Sequence, residues 1–422
     1  MKFGYALRPG VLKQIERIET TDIVMGIPCY NNEDTIAHVI ETVSGGIYRH
    51  FPDAKALIFV SDGGSTDDTR EMAESVPIKP GQERVISIYR GLSGKGSAMR
   101  AVFEAARILQ AKACATVDSD LRSITHDWIK SLLDPVMEKG YDFVAPIYYR
   151  HKYDGTITNN IAYSLTRALY GRRIRQPIGG DFAFSNRIIK NYLSQDVWMT
   201  DVARFGVDIW LTTIAITEGF NICQARLGVK IHQAKDPGES LGPMFRQVVG
   251  TIFALMSVYK TVWKEVHGSM PVDTFGPNAF LEPDPIEMNL KRLIVRFKDG
   301  MTRFGPLYQS IFSPEVYRNL KESVAMEERE FTLSLETWVK GLYEIAATYD
   351  HWRHHQSDLL TVMVPLYLGR VASFVNKTRD MDSFESEKVV EQQAEKFERL
   401  KDYLIHIWDN RQSREDVVDD YS

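Results

Sequence analysis

From Asp22 to Ile147 the chain alternates short runs of apolar, β-branched residues with stretches whose apolar positions recur at helical spacing. The runs DIVMGIP (22–28), ALIFVS (56–61), RVISIY (84–89), ACATVD (113–118) and DFVAPI (142–147) read as strands, with helices expected at 33–49, 67–75, 96–110 and 126–139. Such alternation builds βαβ units on a mostly parallel sheet, because parallel neighbours need a crossover between them. In open α/β sheets ligands gather beyond the carboxyl ends of the strands, where the loops converge. After Tyr148 the pattern turns helical around 157–171 and 204–218, returns to a strand near 221–229, and gives a long helix from about 242 to 265. The passage GSMPVDTFGPNAFLEPDP (268–285) reads as a linker or an ordered crossing loop. Helical spacing dominates from Ile286 to about Asp409. The expected organisation is therefore a nucleotide-binding α/β domain over 1–267, a linker over 268–285 and an all-helical region over 286–422.

Composition narrows the class without naming a chemistry. With 44% apolar and 25% charged residues the chain is ordinary globular protein, and 422 residues exceed what one compact core usually organises. A net charge of −5 gives no general attraction to nucleic acid or to an anionic membrane, so an anionic substrate must be held by a local site. Cys29, Cys114 and Cys223 are far apart and form no CxxC pair, which points away from a disulfide framework or zinc cluster and toward a reducing cytoplasm. The opening MKFGYALRPGVLKQIE has no apolar core of the kind a secretory signal needs. The apolar stretch Val248 to Trp263 is broken by polar residues and falls short of the ~20 residues of a membrane span, so it reads as a buried amphipathic helix.

The candidate chemistry lies at strand ends. PCYNNEDT (28–35), with Pro28, Tyr30 and Glu33, suits a loop that receives a base or ribose. In FVSDGGSTDDT (59–69), Asp62 closes a strand; it could accept from a nucleobase edge or ribose hydroxyl, or serve its own turn as a cap. GLSGKGSAMR (91–100) opens a helix, and its N–H groups with the ammonium of Lys95 could cradle a diphosphate, although the spacing is not that of a P-loop. TVDSDLRS (116–123) carries the strongest signal. Asp118 and Asp120 flank Ser119 at the end of an apolar strand and could aim at one divalent cation, Mg2+ or Mn2+, that also takes substrate phosphate oxygens. His232, in LGVKIHQ, could complete that shell as a neutral imidazole or be an ordinary loop histidine. Arg150, Asp154 and Thr158 recur at intervals of four; arginine suits a bidentate carboxylate contact and the other two suit hydroxyl groups.

In order and spacing, SDGGSTDDT, GKG, VDSD, QPIGGDF, FGVDIW, LGVKIH and LGPMFRQVV resemble the GT-A glycosyltransferases that make glucosyl-3-phosphoglycerate. The same run, over roughly residues 20 to 265, also resembles mannosylglycerate synthase and its glucosylglycerate-forming relatives. The resemblance implies a cytoplasmic, retaining, metal-dependent enzyme that moves a hexose from a UDP-, GDP- or ADP-sugar to D-glycerate or a related hydroxy acid. It implies Asp118, Asp120 and His232 at the metal, Lys95 near the diphosphate and Asp62 at the nucleotide. Gly179 and Gly180 then lie where donor and acceptor approach, and Asp208 lies against sugar and acceptor, where the phosphoglycerate enzymes carry Glu. Arg150, Asp154 and Thr158 resemble the acceptor site of mannosylglycerate synthase. Thr156 stands where the phosphoglycerate enzymes have an arginine, which favours unphosphorylated glycerate, although Arg172, Arg173 and Arg175 could supply charge. The alternatives are a glucosyl-3-phosphoglycerate synthase, an inverting GT-A transferase or a non-catalytic nucleotide-sugar-binding protein. The helical region is a candidate acceptor cover or homodimer interface.

Overall fold

The computed structural model describes residues 6–231, 242–277, 283 and 285–410. These divide into two compact units drawn from interleaved segments: the first from the described parts of Met1–Tyr149, Ile174–Gln233 and Pro271–Pro283, the second from those of Arg150–Arg173, Ala234–Met270 and Asp284–Ser422. A linear cut at 268–285 does not follow these contacts. Within that passage Asp273–Phe275 is a strand of the first unit, while 150–173 and 234–270 pack with the second.

The first unit holds an eight-stranded sheet of β1 (Ile23–Cys29), β2 (Ala56–Asp62), β3 (Gln82–Ile88), β4 (Ala113–Thr116), β5 (Phe143–Tyr149), β6 (Phe182–Ser185), β7 (Ile222–Val229) and β8 (Asp273–Phe275). Its spatial order is β8-β7-β5-β6-β4-β1-β2-β3, parallel throughout except for β6, which runs antiparallel to both neighbours. β1 and β2 are buried almost end to end, as parallel strands covered by helices on both faces must be. The first five strands and the helices Ile36–His50, Thr69–Ser75, Lys95–Ile108 and His126–Glu138 fall where hydrophobic spacing places them. The helix Pro9–Ile18 does not announce itself in that pattern. The segment before it is held by the buried carboxylate of Glu104, which accepts from the N–H groups of Ala6 (2.7 Å) and Leu7 (3.3 Å).

Because β6 runs against its neighbours, its first residues arrive at the carboxyl edge of β4 and β5, where the loops converge. A bulge between Ile147 and Tyr148, opposite Arg226 to Gly228, turns the ends of β5 and β7 at the same edge.

The second unit is helical apart from its share of a two-residue ribbon at Arg172–Arg173. Its helices include Tyr163–Tyr170, Gly242–Val258, Leu335–His351, Gln356–Thr378 and Ser383–Arg399. Local chemistry sets their starts: Ser313 and Ser334 accept from N–H groups in the first turn, and Asp382 with Glu385 forms a reciprocal capping box. The Tyr308 hydroxyl donates to Val362 (2.6 Å) and that of Tyr343 to Phe397 (2.7 Å), so these two buried rings have their hydroxyls met. Among the described helices, Gln356–Thr378 is long and apolar enough by length and composition to cross a membrane, and 78% of its apolar window is buried inside the protein.

Gly96 meets the 202–204 backbone. A Cβ there would lie 1.8 Å from the Val202 carbonyl oxygen, and the Gly96 N–H donates to Arg204 at 3.2 Å. Gly96→Ala is therefore expected to destabilise the first unit by about 2–4 kcal/mol, read as a lower Cm in denaturant unfolding.

Candidate active site

Five charged side chains meet at the carboxyl edge of the sheet. Asp118 lies two residues beyond β4, and both its oxygens are taken by ammonium groups: Lys95 Nζ at 2.7 Å and Lys230 Nζ at 2.8 Å. Lys95 opens the Lys95–Ile108 helix and also reaches Asp208 Oδ2 and the Gly180 carbonyl, each at 3.4 Å. Lys230, just past β7, bonds Asp181 Oδ2 (2.9 Å) and the Gly179 carbonyl (3.0 Å), with its ammonium 4.8 Å from the Tyr148 ring centroid. Asp181, at the start of β6, accepts from the Asp118 backbone N–H at 2.7 Å and from the Tyr148 hydroxyl. Asp208, in the first turn of the Val207–Thr217 helix, completes the group from a position the helix dipole favours.

Burial sets the electrostatics. It would drive the Asp118 carboxyl upward, but Lys230 and Lys95 outweigh it and hold that carboxylate well below its usual range. Burial likewise opposes the charge on Lys95, and Asp118 with Asp208 overcomes it, so Lys95 stays protonated. For Asp208 burial wins: its carboxyl is raised, reinforced by Asp118 and only partly offset by Lys95. Its Oδ1 has no hydrogen-bond partner among the described residues, although it is buried. Gly180 makes the cluster possible. At φ +95° it needs no side chain, and a Cβ there would sit 2.4 Å from Asp118 Oδ2.

The other donor-side candidates are spread around this group. Asp62 is fully buried and its oxygens serve its own turn, accepting from Gly64 N–H at 3.1 Å and from the Ser65 N–H and hydroxyl. Of its two sequence readings, turn organiser and nucleotide contact, the geometry displays the first. Ser119 donates to Asn32 Oδ1 (2.8 Å), and Thr35 donates to the Ser119 carbonyl (2.8 Å), which ties the loop after β1 to the 118–120 turn. Pro28 is half-buried, Glu33 is exposed and accepts from the Asp68 N–H at 2.9 Å, and the Tyr30 ring is 59% exposed beside Gly63. Asp120 is half-buried. His232 lies outside the described residues, but Ile231 before it is pinned to the neighbouring loop, donating to Ser123 Oγ (2.9 Å) and accepting from Arg122 N–H (3.0 Å). Among the described residues no group of three His, Cys, Asp or Glu side chains could hold a metal ion.

Arg150, Asp154 and Thr158 come together in the second unit. Arg150 Nη1 lies 3.8 Å from Asp154 Oδ2, and a Cβ on Gly155, at φ +65°, would be 3.2 Å from Arg150 Nη1 and 3.7 Å from Thr158 Oγ1. Lys152 fixes this loop by donating to the carbonyls of Thr378 (2.7 Å) and Arg379 (3.0 Å), at the end of the Gln356–Thr378 helix. Thr158 begins a π-helical turn, Thr158–Ala162, continued by the Tyr163–Tyr170 helix. Thr156 is buried, its hydroxyl 2.6 Å from that of Tyr367.

Sequence reasoning missed Lys230, Asp181 and Tyr148. Lys230 stands two residues before the histidine that drew attention, and Asp181 is the penultimate residue of the quoted QPIGGDF; each is a charged residue adjoining an apolar strand, the same signal that singled out Asp118.

The mostly parallel sheet with one antiparallel strand is a GT-A-like fold, and this chain is a glycosyltransferase of the sugar-nucleotide-dependent class. Residues 25–198 match Glycosyl transferase family 2, so the chain carries a family 2 glycosyltransferase domain. It is 25% identical over 246 residues to glucosyl-3-phosphoglycerate synthase of Mycolicibacterium smegmatis, covering 54% of this chain and 75% of that protein. It is 34% identical over 164 residues to glycosyltransferase AglJ of Haloferax volcanii, covering 37% of this chain and 48% of AglJ. Among solved structures it is similar to glucosyl-3-phosphoglycerate synthase of Mycobacterium tuberculosis in complex with Mg2+ and UDP, with 26% identity, a TM-score of 0.44, and coverage of 60% of this chain and 84% of that one.

The two aspartates should respond oppositely to neutralisation. Asp118 has a depressed native pKa, so its ionised form stabilises the fold above the unfolded value near 4, and that stability is lost as pH falls toward the native value. Asp118→Asn should lower Tm at pH 7. Asp208 is raised, so its ionised form costs stability at neutral pH; Asp208→Asn should raise Tm by roughly 1–3 °C at pH 7, a gain that fades as pH falls through the raised value. Thermal unfolding across pH 5 to 8 reads both signs.

Proposed function

We propose that this chain transfers a hexose, glucose or mannose, from a nucleoside-diphosphate sugar to D-glycerate or a related small hydroxy acid, with retention at the anomeric carbon, and that it acts in the cytoplasm. The observation that carries the reading is the Lys95–Asp118–Lys230–Asp181–Asp208 cluster, with its buried, unpartnered Asp208 oxygen. That oxygen suits a hydroxyl of the sugar or the acceptor, which would supply the missing donor. The resemblance implies Asp208 against both, where it would orient the attacking hydroxyl and meet positive charge developing on the sugar.

The charge balance supports a divalent cation. Asp118, Asp181 and Asp208 face two ammonium groups here, and a donor diphosphate adds further negative charge. Magnesium or manganese accepts one or two carboxylates together with substrate phosphates and water, a shell to which Asp118 and Asp120 could contribute. Asp120 and His232 would hold the ion, and Asp118, paired with both lysines, would join through its carboxylate edge. The ion would supply charge stabilisation to the departing diphosphate. Lys95 would add its own positive charge to that leaving group. In the retaining scheme the acceptor hydroxyl attacks from the leaving-group face and gives its proton to the departing phosphate oxygen, so no side chain need be the nucleophile.

On the donor side Pro28, Tyr30, Glu33 and Ser119 line the loops that would take the base and ribose; Gly179 and Gly180 present backbone to the sugar. On the acceptor side Arg150 would grip the carboxylate, with Asp154 and Thr158 on the hydroxyls. Thr156, buried against Tyr367, supports an acceptor without a phosphate, since the position where the phosphoglycerate enzymes carry arginine is here a hydroxyl with a partner. A second reading, glucosyl-3-phosphoglycerate synthase, is favoured by the relative bearing that name.

A donor-by-acceptor matrix separates them: UDP-, GDP- and ADP-hexoses against D-glycerate, 3-phosphoglycerate and lactate with manganese. Glycerate should give the highest kcat/KM, whereas a strong preference for 3-phosphoglycerate selects the second reading. Arg150→Ala should raise KM for glycerate at least tenfold with kcat little changed; an unaltered KM moves the acceptor elsewhere. Asp120→Ala and chelation should each silence transfer, chelation reversibly.

A further inference from the structure

Two arginines in the helical unit are equally buried, each 2% exposed, and their surroundings differ. Arg167 is held by two carboxylates: its Nη1 meets Glu391 at 2.6 Å, and Nε and Nη2 each meet Glu398 at 3.0 Å. Arg370, within the Gln356–Thr378 helix, makes one hydrogen bond among the described residues, from Nε to the amide oxygen of Gln393 at 3.0 Å. Neither of its terminal nitrogens meets a carboxylate among those residues. Burial lowers its pKa to about 10, which leaves it charged at neutral pH. A charge taken out of water is costly unless a counter-charge meets it. Gln393 cannot be that counter-charge, and its orientation is fixed: its NH2 group donates to the Asn159 carbonyl (2.7 Å) and to Ser164 Oγ (3.2 Å). Ser164 is fully buried, and because its oxygen accepts that bond its own proton remains to be donated.

We propose that Arg370 and the Ser164 hydroxyl bind a small monoanion, a halide or a carboxylate, inside the helical unit. The guanidinium fork suits either, and the hydroxyl adds a donor beside the amide that orients it. The site is coupled to the acceptor loop through two bonds. Gln393 holds the π-helical turn at Asn159, next to Thr158, and Tyr367, one helical turn before Arg370, holds Thr156. Occupancy would therefore fix the turn that presents Thr158, and its loss would appear in the acceptor KM before kcat. The binding itself does not rest on the transferase reading, since it is measured without substrate turnover.

Thermal unfolding of the full chain tests it, in sodium chloride, sodium acetate and sodium D-glycerate against sodium methanesulfonate at equal ionic strength. The wild type should gain roughly 2 °C or more in at least one of the first three, saturably with concentration. A response to chloride assigns an inorganic anion; a response to acetate and glycerate alone assigns a carboxylate. Arg370→Met should abolish the response, and Arg370→Lys should keep it with weaker half-saturation. Should the methionine variant fail to fold, Ser164→Ala, which removes one hydroxyl, should shift half-saturation upward several-fold. The same Tm in all four salts, or a response untouched by Arg370→Met or Ser164→Ala, overturns the assignment.

Discussion

The carboxylate of Asp118, bracketed by Lys95 and Lys230, is the interaction around which the first unit's site is built. It ties four separate segments: the end of β4, the start of the Lys95–Ile108 helix, the end of β7 and, through Lys230 and Asp181, the start of β6. Two ammonium groups this deeply placed would be untenable without carboxylates, and the carboxylates untenable without them. Neighbouring features follow from that pairing. Position 180 must lack a side chain because the Asp118 carboxylate occupies its space, and the antiparallel β6 serves to bring Asp181 to the same edge.

How far this was legible in the sequence depended on whether the signal was local. Strands β1 to β5 and their helices are continuous apolar or helically spaced runs, and the structure places them within a few residues of expectation. β6 is four residues long and follows two glycines, so no periodicity could reveal it; β8, of three residues, was hidden in what reads as a linker. Acidic residues at strand ends were visible, but their partners were not, since Asp118 and Lys230 are 112 residues apart and meet only through sheet order. That Gly94 and Gly96 of GLSGKG accommodate the 202–204 backbone was hidden for a similar reason, since that contact is also long-range. The trio Arg150, Asp154 and Thr158 was legible because its spacing is local; that its loop is anchored by Lys152 on a helix end more than 200 residues on was not.

The two aspartates of this edge differ in their charge environment. Asp118 is committed to two cations, whereas Asp208 is buried, raised in pKa and has an oxygen without a hydrogen-bond partner among the described residues. The family 2 domain gives the class of reaction.

The most direct measurement is the transfer rate of Asp118→Asn at saturating donor and acceptor, with its circular dichroism recorded alongside. The account predicts a folded protein whose rate is at least a hundredfold below wild type, since Lys95 and Lys230 lose the charge that positions them. A folded variant turning over within twofold of wild type would contradict it.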